Sequence, residues 1–181
     1  MITPVKINAP RLWDSLMQMA EIGSTEKGGC NRQALTDLDK QARDLWVQWV
    51  EEAGCDVRID QMGNIFARRR GLDNGLPAVV TGSHIDTQPT GGKFDGVYGV
   101  LAGLEVMRSL NDHDISTRAP IEAVIWTNEE GARFSPAMVG SGVWCGEFSL
   151  EYGHGRRDKT GKTIEQELQS IDYLGDEACA P

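Results

Sequence analysis

The chain has 181 residues, enough for one domain with a sizeable core, and its 40% hydrophobic and 25% charged residues are typical of a globular protein. A formal net charge of -9 repels nucleic-acid phosphates and anionic lipid, and the dense basic run at residues 68–70 is short. We therefore expect no nucleic-acid or membrane partner and, since the N-terminus lacks the pattern of a signal peptide, a cytoplasmic protein.

Two amphipathic helices are predicted near the beginning of the chain. Residues 11–22 carry apolar side chains at helical spacing, and a stronger apolar stripe runs through residues 35–53. Thr36 or Asp37 can cap the start of the second helix, and Gly54 stands where a left-handed C-terminal cap would lie.

The middle of the chain predicts strands in two different patterns. Residues 55–60 and 64–69 alternate apolar and polar side chains around a Gly-Asn turn, as in two joined strands. Residues 78–83 are continuously apolar and β-branched, which predicts a central strand buried on both faces. A helix over residues 96–110 and a further apolar strand over residues 121–127 complete a strand–helix–strand unit. This order predicts an α/β fold with its functional residues at the carboxyl ends of the strands.

Candidate site residues follow both apolar strands. His84 and Asp86 come after the first, Asp95 follows a Gly-Gly turn, and Glu129 and Glu130 come after the second. If the first strand continues through residue 86, His84 and Asp86 leave the same face. One imidazole nitrogen can then bind a metal while the other donates to the carboxylate, which makes Asp86 an orienting group.

The carboxylates divide naturally between two tasks. Glu129 and Glu130 are adjacent, so their side chains diverge; Glu130 can bind a cation while Glu129 takes a proton from water. Asp95 can give one oxygen to each of two cations. Each motif alone also has an ordinary interpretation, because His-x-Asp is common in loops, Glu-Glu on solvated faces and Asp-Gly in turns. From the residues alone, both interpretations stay open.

Three segments resemble the hydantoinase/carbamoylase family of amidases, which lies within the aminoacylase-like zinc metallopeptidase group. They are Thr-Gly-Ser-His-Ile-Asp-Thr at residues 81–87, Gly-Gly-Lys-Phe-Asp-Gly-Val-Tyr-Gly-Val at residues 91–100, and Thr-Asn-Glu-Glu-Gly-Ala-Arg-Phe at residues 127–134. The family includes N-carbamoyl-L-amino-acid hydrolases, allantoate amidohydrolases and bacterial β-ureidopropionases. The likeness extends from about residue 11 to residue 146.

The resemblance implies a fold, a cofactor and a reaction. The fold would be a mixed sheet flanked by helices, the phosphorylase/hydrolase-like catalytic domain of zinc peptidases. Two divalent metal ions, zinc or manganese, would be held by His84, Glu130 and the bridging Asp95. Glu129 would be the general base, and Asp86 would orient the imidazole. The reaction would be hydrolysis of a C–N bond in an N-carbamoyl-L-amino acid or a related ureido acid.

The resemblance also implies a local geometry and a domain assignment. The peptide bond after the bridging aspartate, between Asp95 and Gly96, would be cis. Residues 1–181 would form the N-terminal portion of the catalytic domain, with further metal ligands and a lid and dimerisation domain outside this sequence; a full-length relative would be a homodimer. Two alternatives remain, an aminoacylase or peptidase on the same scaffold and a non-catalytic remnant.

Overall fold

Four strands form one mixed sheet in the computed structural model, which describes residues 5–181. Strand β1 (Asp56–Ile59) pairs antiparallel with β2 (Ile65–Arg69), and β2 pairs antiparallel with β4 (Ile121–Ile125). Strand β3 (Val79–Ser83) pairs parallel with β4, and helix α3 (Val97–Asp112) forms the connection between them. The predicted α/β class and the strand–helix–strand unit are confirmed.

The two predicted N-terminal helices are present with shifted bounds. Helix α1 spans Ala9–Glu21, because Asn8 caps it by accepting a hydrogen bond from the Arg11 amide at 3.1 Å. Helix α2 spans Asp37–Glu52, with Thr36 as its N-cap. Three short helices follow the sheet: α4 (Val139–Trp144), α5 (Leu150–His154) and α6 (Ile164–Ser170). No helix within the described residues combines the length and apolar character needed to cross a membrane.

The two faces of the sheet are packed by different side chains. Helices α2 and α3 pack against the strands, and the main core between them includes Ile65, Ala67, Ala123 and Ile125. On the opposite face Phe66 lies against Trp126 and Trp144, with ring centroids 5.7 Å and 6.4 Å apart. These aromatic contacts place the segment after β4 firmly against the sheet.

The prediction of a central, doubly buried strand at residues 78–83 is wrong. Strand β3 lies at an edge of the sheet, and Val79 and Val80 are 64% and 47% exposed. Helix α3 packs closely against β3 and β4 through Gly103, where a Cβ would lie 3.1 Å from Thr81. Within residues 5–181 no strand pairs with the outer edge of β3. A continuous apolar run shows that a strand favours burial on both faces. Whether it is buried depends on which elements lie beside it in the fold.

Candidate metal centre

The loops that follow β3 and β4 meet at one edge of the sheet. Because the two strands are parallel, with Ser83 opposite Ile125, their carboxyl ends lie side by side. One donor atom each from His84, Asp95 and Glu130 lies within 4.8 Å of the others. The structure therefore gathers the three side chains that the sequence analysis proposed as metal ligands.

The imidazole of His84 is buried and held in one orientation. Its Nδ1 lies 2.9 Å from the backbone carbonyl oxygen of Asp86. Because a carbonyl only accepts hydrogen bonds, the proton of the neutral ring belongs on Nδ1, and Nε2 keeps its lone pair. That nitrogen lies 3.2 Å from Glu129 Oε2 and 3.9 Å from Asp95 Oδ1. In the neutral ring this nitrogen presents its lone pair to the carboxylates, the arrangement that a metal ligand requires.

Asp86 acts differently from the expectation that its carboxylate holds the imidazole. Its Oδ1 is 3.7 Å from His84 Nδ1, and the backbone carbonyl accepts the ring proton instead. The carboxylate accepts the Glu129 amide through Oδ1 and the Glu130 amide through Oδ2, both at 3.2 Å. The reason is that β3 ends at Ser83, so side chains 84 and 86 no longer alternate on an extended strand. One residue therefore ties the histidine loop to the glutamate segment.

The negative charge of the Asp86 carboxylate is in surroundings where a nearby cation would stabilise it. Burial, followed by the charge of Asp39, raises the pKa of the Asp86 carboxyl. His84 and the two amide hydrogen bonds oppose that rise. A positive charge bound beside the imidazole would further stabilise the ionised form.

Gly96 determines how closely the backbone approaches the imidazole. Its φ is +67°, and a Cβ at this position would overlap the ring of His84. Glycine is therefore needed here for both the left-handed conformation and the space. The predicted cis bond between Asp95 and Gly96 is wrong, since the cis bond within residues 5–181 is Ser135-Pro136. The positive φ of glycine turns the chain at this point without a cis peptide bond.

Two asparagines that the sequence analysis did not select hold the glutamate segment. Asn64 Oδ1 accepts a hydrogen bond from the Thr127 amide at 2.9 Å. Asn128 is fully buried with φ +53°, and its Nδ2 donates to the Phe134 carbonyl oxygen at 2.8 Å. Asn tolerates this left-handed conformation better than most residues. The sequence contained a signal for this turn, because Asn, which directly precedes Glu129, is common at positions of positive φ.

The carboxylates of the site have no basic side chain to compensate them. Within residues 5–181 no Lys or Arg nitrogen lies within 4.0 Å of a carboxylate oxygen of Asp86, Asp95, Glu129 or Glu130. The one side chain within that distance that can carry a positive charge is the imidazole of His84. Clustered like charges are costly unless a counter-charge binds among them. An imidazole nitrogen with carboxylate oxygens is a donor set suited to zinc or manganese. The residues present therefore fit a divalent cation.

Comparisons with known proteins agree with one another. Residues 80–165 match the model of Peptidase family M20/M25/M40. The chain is 55% identical over 172 residues to an N-carbamoyl-L-amino-acid amidohydrolase of Rhizobium meliloti, covering 95% of this chain and 41% of that relative. It is 34% identical over 160 residues to an allantoate amidohydrolase of Bacillus subtilis, covering 88% of this chain and 39% of that relative.

A solved structure gives the same result in three dimensions. An amidase of the hydantoinase/carbamoylase family from Burkholderia multivorans matches with a TM-score of 0.97 and 64% identity, over 97% of this chain and 43% of that one. The chain thus spans about two fifths of the length of these three proteins, 39% to 43%.

Proposed function

Because the chain belongs to the hydantoinase/carbamoylase amidases within peptidase family M20/M25/M40, we propose that it forms part of a metal-dependent amidohydrolase. The substrates would be linear amides, namely N-carbamoyl-L-amino acids or related ureido acids. The names of the relatives support this substrate class, since they include an N-carbamoyl-L-amino-acid amidohydrolase and an allantoate amidohydrolase.

One observation carries the proposal. Donor atoms of His84, Asp95 and Glu130 lie within 4.8 Å of one another at the carboxyl edge of the sheet, and no Lys or Arg in the described part of the chain neutralises them. We propose that His84 binds one divalent ion, Glu130 a second, and Asp95 both. Zinc and manganese are the ions that this donor set suits.

The remaining residues would orient the site and move a proton. When bound, divalent ions would lower the pKa of water and polarise the scissile carbonyl. Glu129, whose Oε2 lies at the imidazole edge, would take the proton of the attacking water on its carboxylate and pass it to the leaving nitrogen. Asp86 would hold both glutamates through their amides. Hydrolysis of an N-carbamoyl-L-amino acid by one water would then release the free amino acid, ammonia and carbon dioxide.

The share of the relatives that the chain covers bears on the assignment of domains. We propose that residues 1–181 are the N-terminal portion of a larger catalytic domain, in line with their match to 41% of the Rhizobium meliloti relative. The ligands that complete each ion's coordination and the contacts of a homodimer would then come from the remaining part.

A substrate panel tests this proposal. The larger protein that contains residues 1–181 is purified, loaded with Mn²⁺ or Zn²⁺, and assayed for ammonia release from N-carbamoyl-L-amino acids, allantoate and ureidoglycolate, and for cleavage of dipeptides. The expected result is hydrolysis of at least one ureido acid and none of the dipeptides. Cleavage of dipeptides alone would favour the alternative function, an aminoacylase or peptidase, which the description of the matched family supports.

A metal titration distinguishes the third possibility. A chain that binds no divalent ion and cleaves none of these substrates would be a non-catalytic remnant, and the proposed function would be wrong. Metal content measured by elemental analysis after gel filtration gives this answer independently of turnover.

A further inference from the structure

An exposed glutamine contacts the side chain that we assign to the second metal ion. Gln88 Nε2 donates a hydrogen bond to Glu130 Oε2 at 2.7 Å and lies 3.4 Å from the Glu130 carbonyl oxygen. We propose that Gln88 is a positioning residue that fixes the Glu130 carboxylate for metal binding. This inference rests on the proposed function, because it gives Gln88 a role only if Glu130 is a ligand.

The chemistry of the contact suits this role. A carboxylate on a three-bond side chain has many orientations, and ordering it costs free energy each time that a cation binds. An amide N–H to a carboxylate is a charge-assisted hydrogen bond, and it restricts the carboxylate before the cation arrives. Gln88 donates to Oε2, and Oε1 accepts no hydrogen bond within the described residues. Oε1 therefore stays available to a cation.

A neutral donor is the appropriate group at this position. A Lys or Arg would donate equally well, but its charge would compete with a divalent ion for the same carboxylate. An Asp or Glu would accept rather than donate and would repel Glu130. Gln88 orders the carboxylate and leaves its negative charge uncompensated, as a cation site requires.

The backbone that carries Gln88 is anchored to buried groups. The amide of Thr87 donates to the Arg32 carbonyl oxygen at 2.8 Å, and Thr87 Oγ1 accepts the Arg32 amide at 2.8 Å. Arg32 itself is fully buried, and its Nε donates to the Ile85 carbonyl oxygen at 2.8 Å. On the other side Gly91 donates to the Gln88 carbonyl oxygen at 3.1 Å. A positioning group needs such rigid support, and the loop provides it although the side chain of Gln88 is exposed.

The experiment compares metal affinity in matched variants of the full chain. Gln88→Met keeps the length of the side chain and removes the donor, and Thr90→Ala changes an exposed residue of the same loop as a control. Loss of a hydrogen-bond partner of a metal ligand costs roughly 10- to 100-fold in affinity. Since water can partly replace the exposed amide, we expect about a 10-fold weaker Mn²⁺ affinity for Gln88→Met, with Thr90→Ala unchanged.

A double-mutant cycle separates positioning from a general structural effect. Glu130→Asp withdraws the carboxylate by one methylene and so lengthens its 2.7 Å contact with Gln88 Nε2, while keeping a carboxylate as ligand. In that background Gln88→Met is expected to have no further effect on Mn²⁺ affinity, whereas an independent structural role would add its full cost again. The side-chain amide resonance of Gln88, followed by NMR without metal, is expected to shift on Glu130→Ala.

The possible outcomes are distinguishable. Mn²⁺ affinity that is unchanged by Gln88→Met, or a full additive loss in the Glu130→Asp background, would overturn the role of Gln88 and leave the proposed function intact. A parent chain that binds no Mn²⁺ at all would overturn the proposed function itself, and the role of Gln88 with it.

Discussion

Two groups of carboxylates in this chain have opposite surroundings. Asp158 and Glu167 meet Arg133, whose Nη2 lies 3.1 Å from Asp158 and also contacts Glu167, and Lys162 lies 2.8 Å from Glu167. In the candidate metal centre, Asp95 and Glu129 have the imidazole of His84 as their ion-pair partner, and no Lys or Arg among the described residues lies within 4.0 Å of any of its carboxylates. The chain neutralises the first group with its own cations and leaves the second open.

The contrast is sharper because the groups are neighbours in sequence. Arg133 lies three residues after Glu130, yet its guanidinium turns away from the glutamates. It donates to the carbonyl oxygens of Ala34 and Leu35 at 3.0 Å and 2.6 Å and so joins the segment to the start of α2. The basic residue nearest to the glutamates in this segment of the sequence is thus paired elsewhere. The first group is thus paired within the chain, whereas the second has the open negative charge that the proposed cation site requires.

The largest expected effect concerns Glu129. In the larger protein that contains residues 1–181, Glu129→Gln removes a proton acceptor and keeps the three proposed ligands, so turnover should fall by about 10³-fold, within the range of general-base catalysis. Elemental analysis should find the metal content unchanged. Turnover close to that of the parent would contradict the role of Glu129.

Next in size is the loss of the proposed imidazole ligand. His84→Ala should weaken metal binding by at least about 100-fold, since loss of even an outer partner costs 10- to 100-fold. Titration with Mn²⁺ measures the effect, and His113→Ala, which changes a histidine at the C-terminal end of α3, is the control. Equal affinities for the two variants would remove His84 from the metal centre.

The structural group should respond in stability rather than in metal binding. Arg133→Met leaves two carboxylates without their shared partner, so the free energy of unfolding should fall by about 2 kcal/mol, somewhat less than for a fully buried pair. Denaturant unfolding measures this, and Arg157→Met, at an exposed arginine, is the control. A loss of metal affinity without a loss of stability would mean that the two groups are not separate.

The smallest expected effect is on the pH dependence of stability. Burial would raise the pKa of Asp158, but the hydrogen bonds from Thr160, from the Lys162 amide and from Arg133 outweigh it and lower that pKa to about 2. In the same way, burial would raise the pKa of Glu167, and Lys162 and Arg133 lower it overall. Because both folded-state pKa values lie below the unfolded values of about 4, this stabilisation is present above about pH 4 and is lost as the pH falls towards 2.

Unfolding experiments between pH 7 and pH 3 measure that loss. The parent chain should lose more stability than Arg133→Met over the acidic part of the range, because the variant has already lost one source of the shift. Parallel curves for the two proteins would contradict this explanation of the lowered pKa values.

The sequence predicted the elements and the set of chemical groups better than the contacts among them. The period of the apolar residues identified α2 and the β1–β2 pair, and strand ends followed by His84 and Glu129 indicated one functional edge. Those patterns are local, and they depend on spacing along the chain. The roles of the site residues stay predictions, now with a geometry that supports them.

What only the tertiary structure decided is where each polar group finds its partner. The Asp86 carboxylate holds amides 43 and 44 residues away, Gln88 contacts Glu130 across 42 residues, and the apolar strand β3 lies exposed at an edge. Sequence periodicity reports which side chains favour burial, but a hydrogen bond between distant loops forms only where the packed strands bring them together. The sequence therefore determined the chemistry available to this protein, and the packing of β3 beside β4 determined how it is arranged.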